Sequence, residues 1–347
     1  MAKYIYHHTK WPHFTWDNEA LLPLLASVRH KQGSLNGSMK LLGFAMKNET
    51  NLHTLTLDVL KSSEIEGEVL NSDQVRSSIA RHLGMDIAGL VPADRHVDGV
   101  VELMLDATQN YKTTLTKNRL FGWHASLFPG GRSGMHKITV GNWRNNDKGS
   151  MQVVSGAMGK EKVHYQAPDA DVLNNEMKVF LKWFNANDGM DAVLKSAIAH
   201  LWFVTIHPFD DGNGRIARAI ADMQLTRADN TAQRFYSMSA QIRLERKAYY
   251  DILEKTQKGK LDITAWLTWY LNCLNKALNA TENRLQNVLH KSKFWDKHTN
   301  TPINERQRLL INKLFDGFDG KLNSSKWAKI KKYCLKMMPV EEAPVIF

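Results

Sequence analysis

Apolar residues recur every three or four positions along most of the chain, which is the spacing of amphipathic helices. The pattern predicts helices over Asn18–Leu35, Thr56–Ile65, Gln74–Leu83, Val97–Leu115, Val172–Asn185, Ala192–Ile206 and Arg215–Ala228. Pro168 and Gly189 fall between them, where breaks are expected. Residues 130–168 depart from the helical period. There MQVVS and KVHY alternate and are β-prone, with AMGKE between them, so a β-hairpin is expected near 151–165. A lone hairpin is marginal in water, so it must lean on the helices. After about Lys291 the pattern predicts a loop (HTNTPIN), a helix in ERQRLLINKLFDGF and a second short helix in GKLNSSKWAKIKKYC. The expected class is therefore all-α with a small β-hairpin flap. The C-terminal pair reads either as two solvated helices or as the first part of a winged helix. The tail MMPVEEAPVIF resembles neither a recognition helix nor a wing.

Composition narrows the class. The chain has 347 residues, 43% hydrophobic and 23% charged, ordinary for a soluble protein of two or three domains. No apolar run approaches the roughly 18 residues needed to span a bilayer, so no membrane partner is expected. The opening MAKYIYHHTKWPHF reads as neither signal nor transit peptide. Cys273 and Cys334 are too few for a disulfide framework and wrongly spaced for zinc, which points to a reducing cytoplasm. The net charge of +11 allows an acidic partner. Thr281–Phe347 carries 13 Lys/Arg against 7 Asp/Glu, so much of that excess belongs to a basic C-terminal region.

Chemistry concentrates in residues 207–218, HPFDDGNGRIAR. His207 is expected where the helix AIAHLWFVTI ends, because Pro208 cannot continue it. Gly212-Asn213-Gly214 permits a tight turn with φ > 0, and RIARAIADMQL then resumes helical spacing. That puts the turn at a helix N-terminus, where unpaired N–H groups and the helix dipole favour phosphate. Arg215 and Arg218 stand three apart on adjoining turns, and guanidinium forks suit phosphate oxygens. A metallohydrolase pairing His207 with Asp211 as ligands is the competing reading, and a third ligand at suitable spacing is not evident.

The stretch resembles the Fic-family signature HxFx(D/E)GNGRxxR, with every fixed position matched. The resemblance implies a helical bundle with a hairpin flap, and protein adenylyltransferase activity using ATP and Mg²⁺. It implies that His207 takes the proton from a target Ser, Thr or Tyr hydroxyl and that Asp211 holds Mg²⁺. Gly212, Asn213 and Gly214 would form the anion hole, continuing into Ile216 and Ala217, with Arg215 on the phosphate chain and Arg218 at the γ-phosphate. Glycine at position 214 favours AMP transfer over phosphorylation. Upstream, Ser62, Glu66 and Gly67 fill the family's inhibitory motif (S/T)xxxE(G/N) in TLTLDVLKSSEIEGEVL. The implied mechanism pairs Glu66 with Arg218 and blocks the γ-phosphate. Read from residues alone, the same segment is an acidic helix end with Gly67 as its C-cap.

Tyr250 and Gln257 lie in a segment that resembles the wall of the family's adenine pocket, whereas His200 reads as a core histidine. The flap is expected to offer its edge to an extended target segment. KWPHFTWDNEALLPLLASVRHKQGSLNG resembles the leader domain of one large branch of bacterial Fic proteins. The expected organisation is a leader over 1–95 containing the inhibitory helix (56–67), a Fic catalytic domain over 96–280, and a basic helical region over 281–347 resembling an incomplete winged helix. A homodimer is the family expectation. AMP removal by the same site and a DNA-binding regulator using the basic tail are the competing functions.

Overall fold

The computed structural model describes residues 3–315, apart from 41–42, 88, 148, 157–159, 161 and 300. The second C-terminal helix expected in GKLNSSKWAKIKKYC, the tail, the rest of the winged helix and Cys334 lie outside the described residues. The chain divides into two compact units between Asn279 and Ala280.

The first unit is built around α7 (Ala192–Ile206), whose sequence AVLKSAIAHLWFVTI is apolar on all sides. A helix of that kind is stable only when surrounded, and all but its first residue are buried. Asp191 caps it, its carboxylate accepting from Val193 N at 2.8 Å. Around it pack α6 (Leu173–Asn185) and α8 (Asn213–Asp229). The first half of α11 (Thr264–Lys297) closes another side, with Trp266 Nε1 donating to Ala197 O at 2.8 Å. α4 (Arg95–Gln109) lies on α8 and on α5 (Lys117–Leu127). α1 (Asn18–Lys40), α2 (Phe44–Ile65) and α3 (Ser72–His82) complete the N-terminal part. α2 packs on α9 (Met238–Leu244), which α10 (Arg246–Gln257) follows.

The mostly helical class expected from periodicity is the one observed, with boundaries moved where local chemistry overrides the pattern. α4 stops at Gln109, before the expected Leu115. Residues 110–116 (NYKTTLT) form a turn instead, held by Asn185 Oδ1 accepting from Leu115 N at 2.9 Å. α2 begins twelve residues before Thr56. α5, α9, α10 and α11 went unread. α5 owes its start to the Thr116 cap on Arg119 N, a tie the apolar period does not register.

The expected hairpin forms from β3 (Gln152–Ser155) and β4 (Lys162–Gln166), antiparallel with Val153 opposite Tyr165. A bulge between Val153 and Val154 leaves His164 as the extra residue. Three supports replace the missing sheet. Tyr165 OH donates to Thr205 O at the end of α7 (2.7 Å), His164 Nδ1 meets Glu254 Oε2 on α10 (2.6 Å), and Tyr4 packs edge-on against the Tyr165 ring. A second, smaller hairpin, β1 (Arg132–Ser133) with β2 (His136–Lys137), precedes it.

In the second unit Trp295 Nε1 donates to Asn312 Oδ1 on α12 (Glu305–Phe315) at 2.9 Å, and the tilted rings of Phe294 and Phe315 lie with centroids 5.3 Å apart. Among the described residues no helix is long and apolar enough to cross a membrane.

Phe180 of α6 is fully buried between Phe184, Trp202 and Phe203. Phe180→Ala is expected to lower stability by about 3–5 kcal/mol, measured by urea denaturation.

Candidate active site

The buried helices α7 and α8 are joined by six residues, and almost every polar group of that connection has a named partner. α7 ends at Ile206, and His207 turns out of it with φ 52° and ψ 58°. That left-handed conformation costs a non-glycine residue on the order of 1–2 kcal/mol, so neighbours must hold it. His207 N still bonds to Phe203 O (2.9 Å). Its carbonyl accepts from Arg144 Nε at 2.8 Å, and Pro208 O accepts from Arg144 N at 2.9 Å. Asn213 folds back over the loop, accepting from Phe209 N (3.0 Å) and donating to Phe209 O (2.8 Å). His124 of α5 donates to Asp211 O at 3.2 Å and stacks flat on Phe209. Its other nitrogen accepts from Gly141 N, and burial pulls its pKa down to about 4, so the ring stays neutral.

His207 Nδ1 lies 3.3 Å from Val204 O. A carbonyl only accepts, so Nδ1 carries the proton and Nε2 keeps its lone pair. Burial, the largest influence, lowers the pKa of this imidazole to about 4. At neutral pH the ring is therefore a neutral base.

Gly212 (φ 80°) caps α8, and a Cβ there would press on Phe128 Cε2 at 2.9 Å. The first intrahelical bond is Ile216 N to Gly212 O, which leaves the N–H groups of Asn213, Gly214 and Arg215 as the open helix end. The side chains of Ile216 and Ala217 are fully buried, so only their backbone can serve an anion there. Over this end lies the Glu66 carboxylate. A Cβ on Gly214 would collide with Glu66 Oε1, so only glycine admits this approach.

Glu66 Oε1 pairs with Arg218 Nη2 at 2.8 Å, while Ser62 holds the same guanidinium through Oγ (2.9 Å) and its carbonyl (2.8 Å). Arg218 is 2% exposed, and its Nη1 is buried without a partner beside Gly214. Glu66 thus satisfies one edge of the arginine and leaves a donor over the glycine turn. The C-cap of α2 is Glu66 rather than the expected Gly67, which follows it with φ 87°. Tyr250 OH donates to Glu66 Oε2 and lies equally close to Ile65 O (3.3 Å each), with Arg246 over its ring. Gln257 is buried and donates to Val204 O, the carbonyl that also takes His207 Nδ1. His200 sits in the core as expected, bonded to Tyr249 OH at 2.8 Å.

Asp211 faces two clefts. One, about 690 Å³, is lined by Glu66, Glu68, His96, Phe128 and Arg215, and the other, about 530 Å³, by Lys137, Arg144, Met151, Gln152 and Asp210. The Ser133 hydroxyl donates to Asp211 Oδ2. The sequence reading missed Ser133, His124, Arg144, Glu68 and His96, which reach the site from segments far away in the chain. Glu68 is the nearest to a legible signal, being an acid two positions after Glu66.

The chain is similar to known proteins in sequence and in fold. Residues 114–225 match the Fic/DOC family, and residues 4–85 match a domain of unknown function, DUF4172. The chain is a Fic domain protein. It is 24% identical over 273 residues to Protein adenylyltransferase Fic of Drosophila melanogaster, covering 76% of this chain and 48% of that one. The protein of the same name from Culex quinquefasciatus is 26% identical over 225 residues, covering 64% and 40%. The chain thus spans about half the length, or less, of these curated relatives. A Fic family protein from Desulfovibrio desulfuricans shares the fold with a TM-score of 0.60 at 21% identity, covering 93% of this chain and 86% of that one. A Fic domain containing signaling protein from Bacteroides thetaiotaomicron follows at 0.53 and 18%, covering 77% and 98%.

In this Fic protein Glu68 bridges two cations, taking Arg215 Nη1 on one oxygen (2.9 Å) and His96 Nε2 on the other. The hydrogen bond from Glu68 raises the His96 pKa. Burial pushes Glu68 up, but His96 and Arg215 outweigh it and the net shift is downward. The histidine contribution is full below its unfolded pKa and is lost as pH rises through the raised value. The glutamate contribution is full above its unfolded pKa and is lost as pH falls through the lowered value. The Tm difference between wild type and His96→Gln is therefore expected to peak between about pH 4.5 and 6.5, shrinking on both sides in a thermal-melt series.

Proposed function

We propose that this Fic protein transfers AMP from ATP to a hydroxyl of a protein target, and that Glu66 restrains it. The observation that carries the reading is the anion held at the open end of α8. A carboxylate lies over Gly214 on a buried arginine, where a helix N-terminus and an unpartnered Arg218 nitrogen favour negative charge. An internal acid in that place competes with a nucleotide phosphate for the same donors.

His207 accepts the hydroxyl proton on Nε2 as the hydroxyl oxygen bonds to the α-phosphorus. The bond from that phosphorus to the β-bridging oxygen breaks, and pyrophosphate leaves. The N–H groups of the first turn of α8, with Arg215 and Arg218, neutralise charge on the phosphate chain. Asp211, with the Ser133 hydroxyl on its carboxylate, would hold Mg²⁺, a hard cation that oxygen donors suit. When bound, the ion supplies charge neutralisation to the phosphates. Tyr250 is best read as a support for Glu66, since its hydroxyl is spent on that carboxylate and on Ile65 O.

Incubation with ATP labelled at the α-phosphate tests this. Glu66→Gly is expected to raise label on protein about tenfold or more, and His207→Ala to lower it at least about 100-fold. Label that stays in solution for wild type and both variants would overturn AMP transfer in favour of AMP removal, for which an AMP-bearing protein is the next substrate.

β3 is the natural docking edge for an extended target segment, because it pairs only with β4 among the described residues and Val154 is half exposed. Val154→Pro is expected to reduce target modification several-fold while ATP affinity, measured by calorimetry, stays within about twofold. Equal losses in both would count against docking at β3.

A further inference from the structure

We infer that Arg144 is a positioning residue, holding His207 in its left-handed turn and tying that turn to the flap. Its side chain is 3% exposed and makes two carbonyl bonds in different directions. Nε donates to His207 O at 2.8 Å, and Nη2 donates to Pro168 O, two residues past the end of β4. Its backbone N–H donates to Pro208 O at 2.9 Å. Arg144 thus binds two successive carbonyls of the connection, and its fork spans from there to the flap exit.

The segment around it reinforces the same loop. Thr139 N donates to Asp210 Oδ2 at 2.9 Å, and the Trp143 ring packs against Phe209 with centroids 5.1 Å apart. Both flap and loop also meet the end of α7, through Tyr165 OH on Thr205 O. Target docking on the flap and placement of the base therefore share one buried guanidinium.

Packing alone is a poor explanation for this side chain. Its third nitrogen, Nη1, is buried with no partner, an arrangement that an apolar residue of similar volume would avoid. The strained φ of His207 also needs an external constraint. The acceptor that Arg144 binds is the carbonyl of the strained residue itself. The planar fork can satisfy two carbonyls at once, which a lysine ammonium on a flexible stem cannot do with the same geometry.

The activity arm of the test rests on the proposed AMP transfer, and the spectroscopic arm does not. In the Glu66→Gly background, Arg144→Gln is expected to lower kcat about 30- to 100-fold. KM for ATP is expected to stay within about threefold, because the glycine turn and the α8 arginines do not touch Arg144. Arg144→Lys, which keeps the charge and the buried stem, is expected to fall between the two.

In parallel, nitrogen-15 NMR of histidine-labelled protein reads the His207 ring, assigned by its loss in His207→Ala. A single His207 signal in the parent is expected to broaden or double in Arg144→Gln, while those of the buried His124 and His200 stay in place. Equal changes in kcat and KM, or an unmoved His207 signal in a folded variant, overturn the proposal. If neither variant folds, Arg144 is a core residue and the proposal also fails. If the parent transfers no AMP, the function proposed above fails, and the NMR arm still decides the role of Arg144.

Discussion

Two buried helices joined by six residues set the terms for everything else in this molecule. A short connection inside a core cannot rely on water for its peptide groups, so the protein must supply partners for them. Arg144, Asn213 and His124 do so from three parts of the chain. What remains open is the N-terminal turn of α8, the candidate anion site, at the end of a connection most of whose polar groups are bonded.

The proposed restraint rests on the same accounting. The buried Arg218 guanidinium of α8 needs an acceptor, and Glu66 at the end of α2 provides one. Because Gly214 has no side chain, the carboxylate passes close beside the first turn of α8 on its way to Arg218. Ser62 holds the arginine from the same helix, so an outward movement of α2 would withdraw the carboxylate and its clamp together. Glu68 adds a second tie from the adjoining segment to Arg215, and His96 of α4 anchors it. Both motif arginines are thereby occupied by one stretch of seven residues, 62–68. Glu66 remains partly open to solvent, its side chain 31% exposed, whereas Arg218 is 2% exposed.

The flap shows how a two-stranded sheet survives in a helical protein. Its ties run to α7, α10 and the N-terminal aromatic residues, so its orientation is coupled to the elements that carry the site. Tyr165, His164 and Gln166 each spend a polar group on a different neighbour. The hairpin is therefore a braced extension of the core around His207.

Much of this was legible in the residues themselves, for local reasons. A run apolar on every side has to be a buried helix and Pro208 has to end it, whereas the turn expected over Gly212-Asn213-Gly214 narrows to Gly212, because Asn213 and Gly214 already belong to α8. The bounds Ala192–Ile206 follow from chain-local sterics and hydrogen bonding, and α8 starts at Asn213, two residues before the expected Arg215. The motif 207–218 was likewise readable from its contiguous residues, whereas Ser62, Glu66 and Gly67 stood out only through the family resemblance. Tertiary structure decided what contiguity cannot encode. Arg144 lies 63 residues from His207, Glu68 lies 147 from Arg215 and Ser62 lies 156 from Arg218. No period or spacing marks such pairs, since they exist only once α2, α5 and the 139–144 segment are packed against the loop. The sequence determined which groups could bind an anion and abstract a proton. The packing decided which acid occupies each arginine, and which buried side chain holds the base in place.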